Sequence, residues 1–155
     1  MTPATKLLKK KKVPFEVHQY HHDANASSFG LEAVEKLSLD AKQVFKTLVV
    51  CCDTDQLAVA IVPVNVKLNL KAIAKTLNVK KVKMADAKRV EASTGYVLGG
   101  VSPLGQKKLL STVIDISAQA LDIMYISGGR RGLEIALAPN NLAKLCRATF
   151  ANIST

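Results

Sequence analysis

Phe45-Lys46-Thr47-Leu48-Val49-Val50 is the stretch around which the chain is organised, because it has the composition of a buried β-strand that begins with a lysine. Side chains on a strand alternate between two faces, so Lys46 and Leu48 would share one face and Phe45 would lie on the other. Both faces are largely apolar. A lysine here either extends its ammonium to water at the end of the sheet or lies desolvated in a pocket, where its charge needs a partner. The strand alone favours the first alternative.

The composition is that of a globular protein with an anionic partner. Of the 155 residues, 48% are hydrophobic and 22% are charged, and the formal net charge is +10. This length fits a single domain over residues 1–155 with a substantial core. The charge favours RNA as a partner, with an acidic membrane surface as the second candidate. Aromatic residues make up only 5%, which argues against extensive base-stacking platforms.

The N-terminus and the cysteines are typical of a cytoplasmic protein. The segment Met1–Lys6 lacks the apolar stretch of a secretory signal, and no later apolar run approaches membrane-spanning length. The adjacent pair Cys51 and Cys52, together with Cys146, suits neither a disulfide nor a metal site. We therefore expect three reduced, mostly buried thiols.

Strands and helices alternate irregularly along the chain. Helices are expected after Thr2, from Phe29, after Asn69, from Asp86 and after Pro139, and the predicted strands cover 15–22, 45–52, 57–62, 79–84, 112–116, 122–126, 133–138 and 150–153. The turn Asp53-Thr54-Asp55 joins two of the strands as a hairpin. Hairpin-like neighbours of this kind predict an α+β domain on a mixed sheet rather than a doubly wound fold.

Two late loops contain seven of the eight glycines: Gly95, Gly99, Gly100 and Gly105 in the first, and Gly128, Gly129 and Gly132 in the second. Glycine lets the backbone approach a ligand closely and adopt positive φ. Two such loops indicate a site built largely from main-chain groups. Tight turns in a curved sheet are the alternative explanation.

Nucleotide, dinucleotide and metal sites are poorly supported. Gly100 and Gly105 have the separation of a phosphate-binding loop, but its lysine comes one residue late, at Lys107, and no Ser or Thr follows. No G-x-G-x-x-G pattern follows a strand. The histidines at 18, 21 and 22 could ligate zinc, but no second Cys/His cluster completes a coordination shell. We expect no cofactor and no metal.

A protein nucleophile is also hard to find. Cys51 and Cys52 lie in a predicted strand, and the sequence places no histidine to activate either thiol. Ser127 lacks the G-x-S-x-G setting of a hydrolase, so its hydroxyl is better suited to hydrogen-bonding a ligand. Glu134 either balances Lys46 or a loop arginine, or is an exposed strand carboxylate.

Three segments in this order form a specific pattern: Phe45-Lys46-Thr47-Leu48, then Ser93-Thr94-Gly95-Tyr96 with Gly99-Gly100-Val101-Ser102-Pro103-Leu104-Gly105-Gln106-Lys107-Lys108, then Ser127-Gly128-Gly129-Arg130-Arg131-Gly132-Leu133. The pattern resembles the YbaK-type aminoacyl-tRNA deacylases, which are free-standing relatives of the editing domain inserted in bacterial prolyl-tRNA synthetase. The resemblance covers essentially the whole chain. It implies a single α+β domain with a mixed, curved, barrel-like β-sheet flanked by short helices.

The resemblance also implies an activity and a site. The activity is trans-editing of Cys-tRNA(Pro), and of cysteinyl-tRNA more generally, in which the thiol of the substrate attacks its own ester and releases a cyclic thiolactone. Lys46 corresponds to the residue most important for activity. The expected substrate-binding residues are Tyr20, Phe29, Thr47, Gly99, Gly100, Ser127, Gly128 and Glu134, and the expected tRNA-binding residues are Lys80, Lys81, Lys83, Lys107, Lys108, Arg130 and Arg131.

Two residues depart from the family pattern, and two other functions stay open. Glu134 stands where the family usually has Asp, and Leu31 stands where an acid is common. One alternative is an Ala-tRNA(Pro) deacylase in which water attacks, and the other is a non-catalytic tRNA-binding module. Phosphate contacts give affinity without sequence, so tRNA identity could come from prolyl-tRNA synthetase in a ternary complex. Neither a DNA nor a membrane partner is expected.

Overall fold

The secondary structure follows the predicted order of helices and strands. The structure is a computed structural model that describes residues 1–25 and 29–155, without the side chain of Phe29. Its helices are α1 (Pro3–Lys10), α2 (Phe29–Leu37), α3 (Leu70–Thr76), α4 (Ala87–Thr94) and α5 (Pro139–Cys146). Its strands are β1 (Glu16–Gln19), β2 (Phe45–Cys52), β3 (Leu57–Pro63), β4 (Val82–Met84), β5 (Ser111–Asp115), β6 (Met124–Ser127), β7 (Leu133–Leu137) and β8 (Thr149–Ala151), and a 3₁₀ helix covers Ile116–Ala120.

The strands form two sheets that enclose the main core. A five-stranded mixed sheet has the order β4-β2-β3-β5-β8, and an antiparallel three-stranded sheet has the order β1-β7-β6. A parallel bridge between Val44 and Tyr125 connects them. Apolar side chains from both sheets, among them Phe45, Ile114 and Ile135, pack in one buried cluster. The predicted α+β fold on a mixed sheet is confirmed, and its curvature takes the form of two sheets joined at one edge.

Strand pairing confirms the predicted hairpin of β2 and β3 and places β5 and β6, which are neighbours in the chain, in different sheets. β2 and β3 pair antiparallel over Phe45 to Cys51, as the turn between them predicts. β5 instead pairs parallel with β3 and with β8, and β6 belongs to the other sheet, paired with β7. The 3₁₀ helix between β5 and β6 therefore carries the chain from one sheet to the other.

The helix starts follow the predicted caps. Thr2 caps α1 and forms a capping box with Thr5, Asn69 accepts from the Ala72 amide, and Asp86 accepts from the Arg89 amide. None of the helices within the described ranges is long and apolar enough to cross a membrane.

Most strands begin or end one to three residues from their predicted bounds, and two of the differences have a clear local reason. β1 ends at Gln19, opposite Leu133, because β7 begins there after Gly132 with φ +86°. β4 begins at Val82 rather than at Val79, because the Val79 amide donates to Ala74 and closes the end of α3. The last strand ends at Ala151. Cys51, Cys52 and Cys146 are free and buried, as predicted.

Candidate functional site

A cavity of about 430 Å³ opens between the start of β2, the three-stranded sheet and the two glycine-rich loops. Such a volume lies within the range of small-molecule sites. Its lining consists of Tyr20, Gly30, Phe45, Lys46, Thr47, Leu48, Met84, Leu98, Gly99, Val101, Ser127, Arg130, Arg131 and Glu134. The cavity thus brings together Lys46 with five of the eight residues predicted to bind substrate, although they come from five distant segments of the chain.

Lys46 lies at the second position of β2 and is half-buried. Burial lowers the pKa of its ammonium group, and no carboxylate in the described part of the chain forms a salt bridge with it. The ammonium therefore faces the cavity as a partly desolvated cation. A cation in this state gains most from a negative or strongly polarised group that a ligand brings.

Glu134 occupies the centre of the three-stranded sheet. On β7 it lies opposite Ser127 of β6 on one side and His18 of β1 on the other, and it is 7% exposed. Burial raises the pKa of its carboxyl group to about 8, so the group is mostly protonated at neutral pH. It forms no salt bridge with Lys46. A neutral carboxylic acid in the wall can both donate and accept a hydrogen bond.

The hydroxyl groups of the cavity have different surroundings. The Ser127 Oγ accepts a hydrogen bond of 3.2 Å from the Gly129 amide, which orients it within its own turn. The Thr47 Oγ1 is buried and has no hydrogen-bond partner among the residues that the structure describes. The Lys36 Nζ lies 5.9 Å from the centre of the Tyr20 ring. Burial, together with the charges of Glu134 and Glu32, raises the pKa of the Tyr20 hydroxyl to about 12. Three hydroxyls of this kind can position a polar ligand.

Glu32 ties α2 to the segment that follows Tyr20, and it was not among the predicted site residues. Its carboxylate binds the His22 Nδ1 at 2.7 Å, the Asp23 amide at 2.7 Å and the Lys36 Nζ at 3.2 Å. Burial opposes its ionisation, but these hydrogen bonds outweigh burial and lower the pKa of Glu32 to about 2. The signal in the sequence was a Glu in the first turn of α2 with a lysine four residues later.

Each of the three histidines has a separate environment. His22 is bound to Glu32, His18 packs edge-on against Tyr125 at 5.4 Å, and the His21 carbonyl accepts from the Lys36 Nζ. Within residues 1–25 and 29–155, no group of three His, Cys, Asp or Glu side chains is arranged to hold a metal ion.

Two of the glycines predicted to bind substrate, Gly100 and Gly128, are not among the residues that line the cavity. A Cβ on Gly100 would come within 3.0 Å of the Arg130 Cα, and one on Gly128 would overlap the Leu133 side chain at 2.6 Å. These glycines permit close packing between the two loops and within the second loop. Gly99, by contrast, lines the cavity. The Phe29 side chain lies outside the described residues.

The seven basic residues predicted to bind tRNA are all exposed. Arg130 and Arg131 line the cavity, and Lys80, Lys81 and Lys83 lead up to Met84, which also lines it. Lys107 lies against Gly95 at the base of the first loop. The two arginines of the second loop thus lie at the cavity, whereas Lys80 and Lys81 lie beside Asp53, at the opposite end of β2 from Lys46.

Several lining residues were not expected from the sequence. They are Gly30, Phe45, Leu48, Met84, Leu98 and Val101. Most of these are apolar residues adjacent in sequence to a predicted site residue, and that adjacency was the available signal. The described lining contains no cysteine and no histidine, so it offers neither a thiolate nor an imidazole base.

The similarity to known proteins is consistent over the whole chain. A model of the aminoacyl-tRNA editing domain matches residues 24–145. The chain is 37% identical to EbsC of Enterococcus faecalis (strain ATCC 700802 / V583), named as a candidate Cys-tRNA(Pro)/Cys-tRNA(Cys) deacylase, over 99% of this chain and 93% of that protein. The crystal structure of a candidate trans-editing enzyme for prolyl tRNA synthetase superimposes with a TM-score of 0.86 at 19% identity, covering 99% of this chain and 95% of the other. A second solved structure, of a hypothetical protein, gives a TM-score of 0.87 at 21% identity, covering 99% and 100%.

Proposed function

This chain belongs to the aminoacyl-tRNA editing domain family, and from that premise we propose that it is a trans-editing deacylase that removes cysteine from Cys-tRNA(Pro) and Cys-tRNA(Cys). We propose further that residues 1–155 form one editing domain that acts in the cytoplasm. The 37% identity to the named deacylase and the matched editing domain support this proposal.

The single observation that carries the mechanism is a cavity with a desolvated ammonium but without a thiol or imidazole in its described lining. A cysteinyl ester brings its own nucleophile. In the proposed reaction the substrate sulfur bonds to the ester carbonyl carbon, the bond from that carbon to the ribose oxygen breaks, and the thiol proton passes to the ribose oxygen. The products are tRNA with a free hydroxyl and a cyclic thiolactone, which water then opens.

Lys46 would act by electrostatics in this reaction. Negative charge develops on the carbonyl oxygen and on the departing ribose oxygen, and an ammonium in a partly dry cavity stabilises such charge more than it would in water. The Ser127 hydroxyl and the Gly99 backbone would orient the aminoacyl group, and Tyr20, Thr47 and Glu134 would complete the polar contacts. Because the substrate supplies the nucleophile, we assign no general base.

The basic residues beside the cavity would hold the acceptor end of the tRNA. Arg130 and Arg131 line the cavity and would contact the nucleotides next to the ester, and Lys80, Lys81 and Lys83 would contact phosphates further along the acceptor stem. We place Lys107 and Lys108 on the same path. Phosphate contacts carry little sequence information, so we propose that prolyl-tRNA synthetase supplies tRNA identity in a ternary complex.

The test is deacylation of Cys-tRNA(Pro) and Cys-tRNA(Cys) by the wild-type protein and by Lys46→Ala. We expect the variant to lose at least about 100-fold in rate, because it removes the main charge stabilisation of the transition state. Lys42→Ala, a change at an exposed lysine four residues earlier, is the matched control and should retain the wild-type rate. Deacylation by Lys46→Ala at the wild-type rate would refute the role of Lys46. Tight binding of tRNA without deacylation of any aminoacyl-tRNA would favour a binding module instead.

A further inference from the structure

The first turn of α1 contacts both glycine-rich loops, although it precedes residues 24–145, the part of the chain that matches the editing domain. The Thr2 hydroxyl donates a hydrogen bond of 2.5 Å to the Gly128 carbonyl and also accepts from the Thr5 amide at 3.3 Å. The side chain is therefore both a helix cap and a tie to the second loop. Thr2 is 8% exposed, so this tie lies out of water.

Tyr96 connects the same helix turn to the first loop. Its hydroxyl donates to the Leu104 carbonyl at 2.6 Å across the base of the loop, and its side chain belongs to the same buried cluster as Ala4 of the helix turn. Its ring is 4% exposed and lies under the second loop, where a Cβ on Gly129 would come within 2.7 Å of the Tyr96 Cε1 and within 3.2 Å of the Thr2 Cβ.

The contacts between the loops complete this arrangement. A Cβ added to Gly105 would lie 2.7 Å from the Pro3 backbone, and one added to Gly100 would lie 3.0 Å from the Arg130 backbone. Neither position has room for an added carbon atom, so the backbones on its two sides are in close contact. Both loops are thus fixed to each other and to one helix turn, directly behind Ser127 and Gly99.

We infer that Thr2 and Tyr96 are positioning residues, which lock the two glycine loops against the start of α1 and so set the distance across the cavity between the Ser127 hydroxyl and the Gly99 backbone. This inference rests on the proposed function. Neither residue lines the cavity, so each acts through the loops. Reactions that depend on orientation are sensitive to such support, since a displacement of about 1 Å can cost roughly 100-fold in rate.

The test compares Thr2→Val with Asn69→Ala in the full chain. Both changes remove a side-chain helix cap, but Asn69 caps α3, which has no residue in the cavity lining. With Cys-tRNA(Pro), Thr2→Val should lower kcat at least about tenfold with KM within about threefold, because loop geometry changes while most binding contacts stay. Asn69→Ala should lose similar thermal stability and keep the wild-type kcat. Thr2→Ser retains the hydroxyl and should restore kcat.

A second measurement separates this inference from the proposed function. Amide hydrogen exchange at Gly129 and Gly100 should accelerate at least about tenfold in Thr2→Val and stay at the wild-type rate in Asn69→Ala, because only the first change unlocks the loops. Tyr96→Phe should accelerate the same amides if Thr2→Val does not fold. If the wild-type protein deacylates no aminoacyl-tRNA, the proposed function fails and exchange alone decides the positioning role. Unchanged exchange in both loop variants, or equal loss of kcat in Thr2→Val and Asn69→Ala, would overturn the inference.

Discussion

Replacing Glu134 with glutamine should stabilise the folded protein at neutral pH, even though it alters a residue of the cavity wall. Burial raises the pKa of this carboxyl group from its ordinary value of 4.5 to about 8. Between those two values the unfolded chain releases the proton and the folded protein keeps it, so folding stability falls as the pH rises. The amide of glutamine has nearly the same shape and does not ionise.

The size of the effect follows from the pKa difference. Each pH unit inside the window costs ~1.4 kcal/mol, so the variant should be more stable than the wild type by about 3 kcal/mol at pH 7. The difference should vanish well below pH 4.5, where Glu134 is protonated in both the folded and the unfolded wild-type protein, and should level off above pH 8. A wall residue that costs so much stability is typical of a functional site.

Urea unfolding of both proteins at a series of pH values measures this difference directly. Subtracting the two stability curves cancels the other titrating groups. Glu35→Gln, a change at an exposed glutamate of α2, is the control and should give a difference close to zero throughout. A Glu134→Gln difference that stays flat between pH 5 and pH 8 would mean that the carboxyl ionises normally, and the account of a neutral Glu134 would be refuted.

Three further changes test other parts of the site. At pH 7 Glu134→Gln should keep deacylation within about threefold of wild type. Above pH 8 the wild-type rate should decline more steeply than the rate of the variant, because its Glu134 carboxyl ionises there in addition to the groups that the two proteins share. pH–rate profiles corrected for spontaneous hydrolysis decide this. Glu32→Gln should be less stable than wild type at pH 7, because it removes a carboxylate that is stabilised by hydrogen bonds. Thermal unfolding should show that the difference in stability between the two proteins closes as the pH falls from 4.5 towards 2, where the wild-type carboxylate with its lowered pKa becomes protonated. The triple variant Lys80→Glu, Lys81→Glu, Lys83→Glu should bind tRNA more weakly. The slope of log Kd against log salt concentration should be smaller by about 2 to 3, because fewer phosphate contacts form. An unchanged slope would mean that these three lysines do not contact tRNA.

The order of elements was predictable because it depends on local signals. Thr2, Asn69 and Asp86 cap the helices that the sequence predicts, and the hairpin of β2 and β3 follows from its turn residues. The partition of the strands into two sheets was not predictable. The parallel pairing of β5 with β3 joins segments far apart in the chain, and periodicity carries no information on such pairing.

The contacts of the buried polar groups around the site were also not predictable from the sequence. In α2 the apolar Leu31 is 47% exposed, whereas the next residue, Glu32, is buried because its carboxylate binds a segment ten residues earlier. The tie from Thr2 to Gly128 spans 126 positions of the chain. Sequence patterns identify a cap or a glycine loop, but they do not state which distant carbonyl the cap will contact.

The central claim is that the substrate supplies the nucleophile, and the direct test compares cysteinyl, seryl and alanyl esters on the same tRNA(Pro). Serine and alanine lack the thiol but nearly match cysteine in size, so the cavity should admit all three. After correction for the rate without protein, we predict that the cysteinyl ester is cleaved at least about 100-fold faster than the other two, with thiolactone as the first product. Equal rates for the three esters would contradict this account and would indicate attack by water.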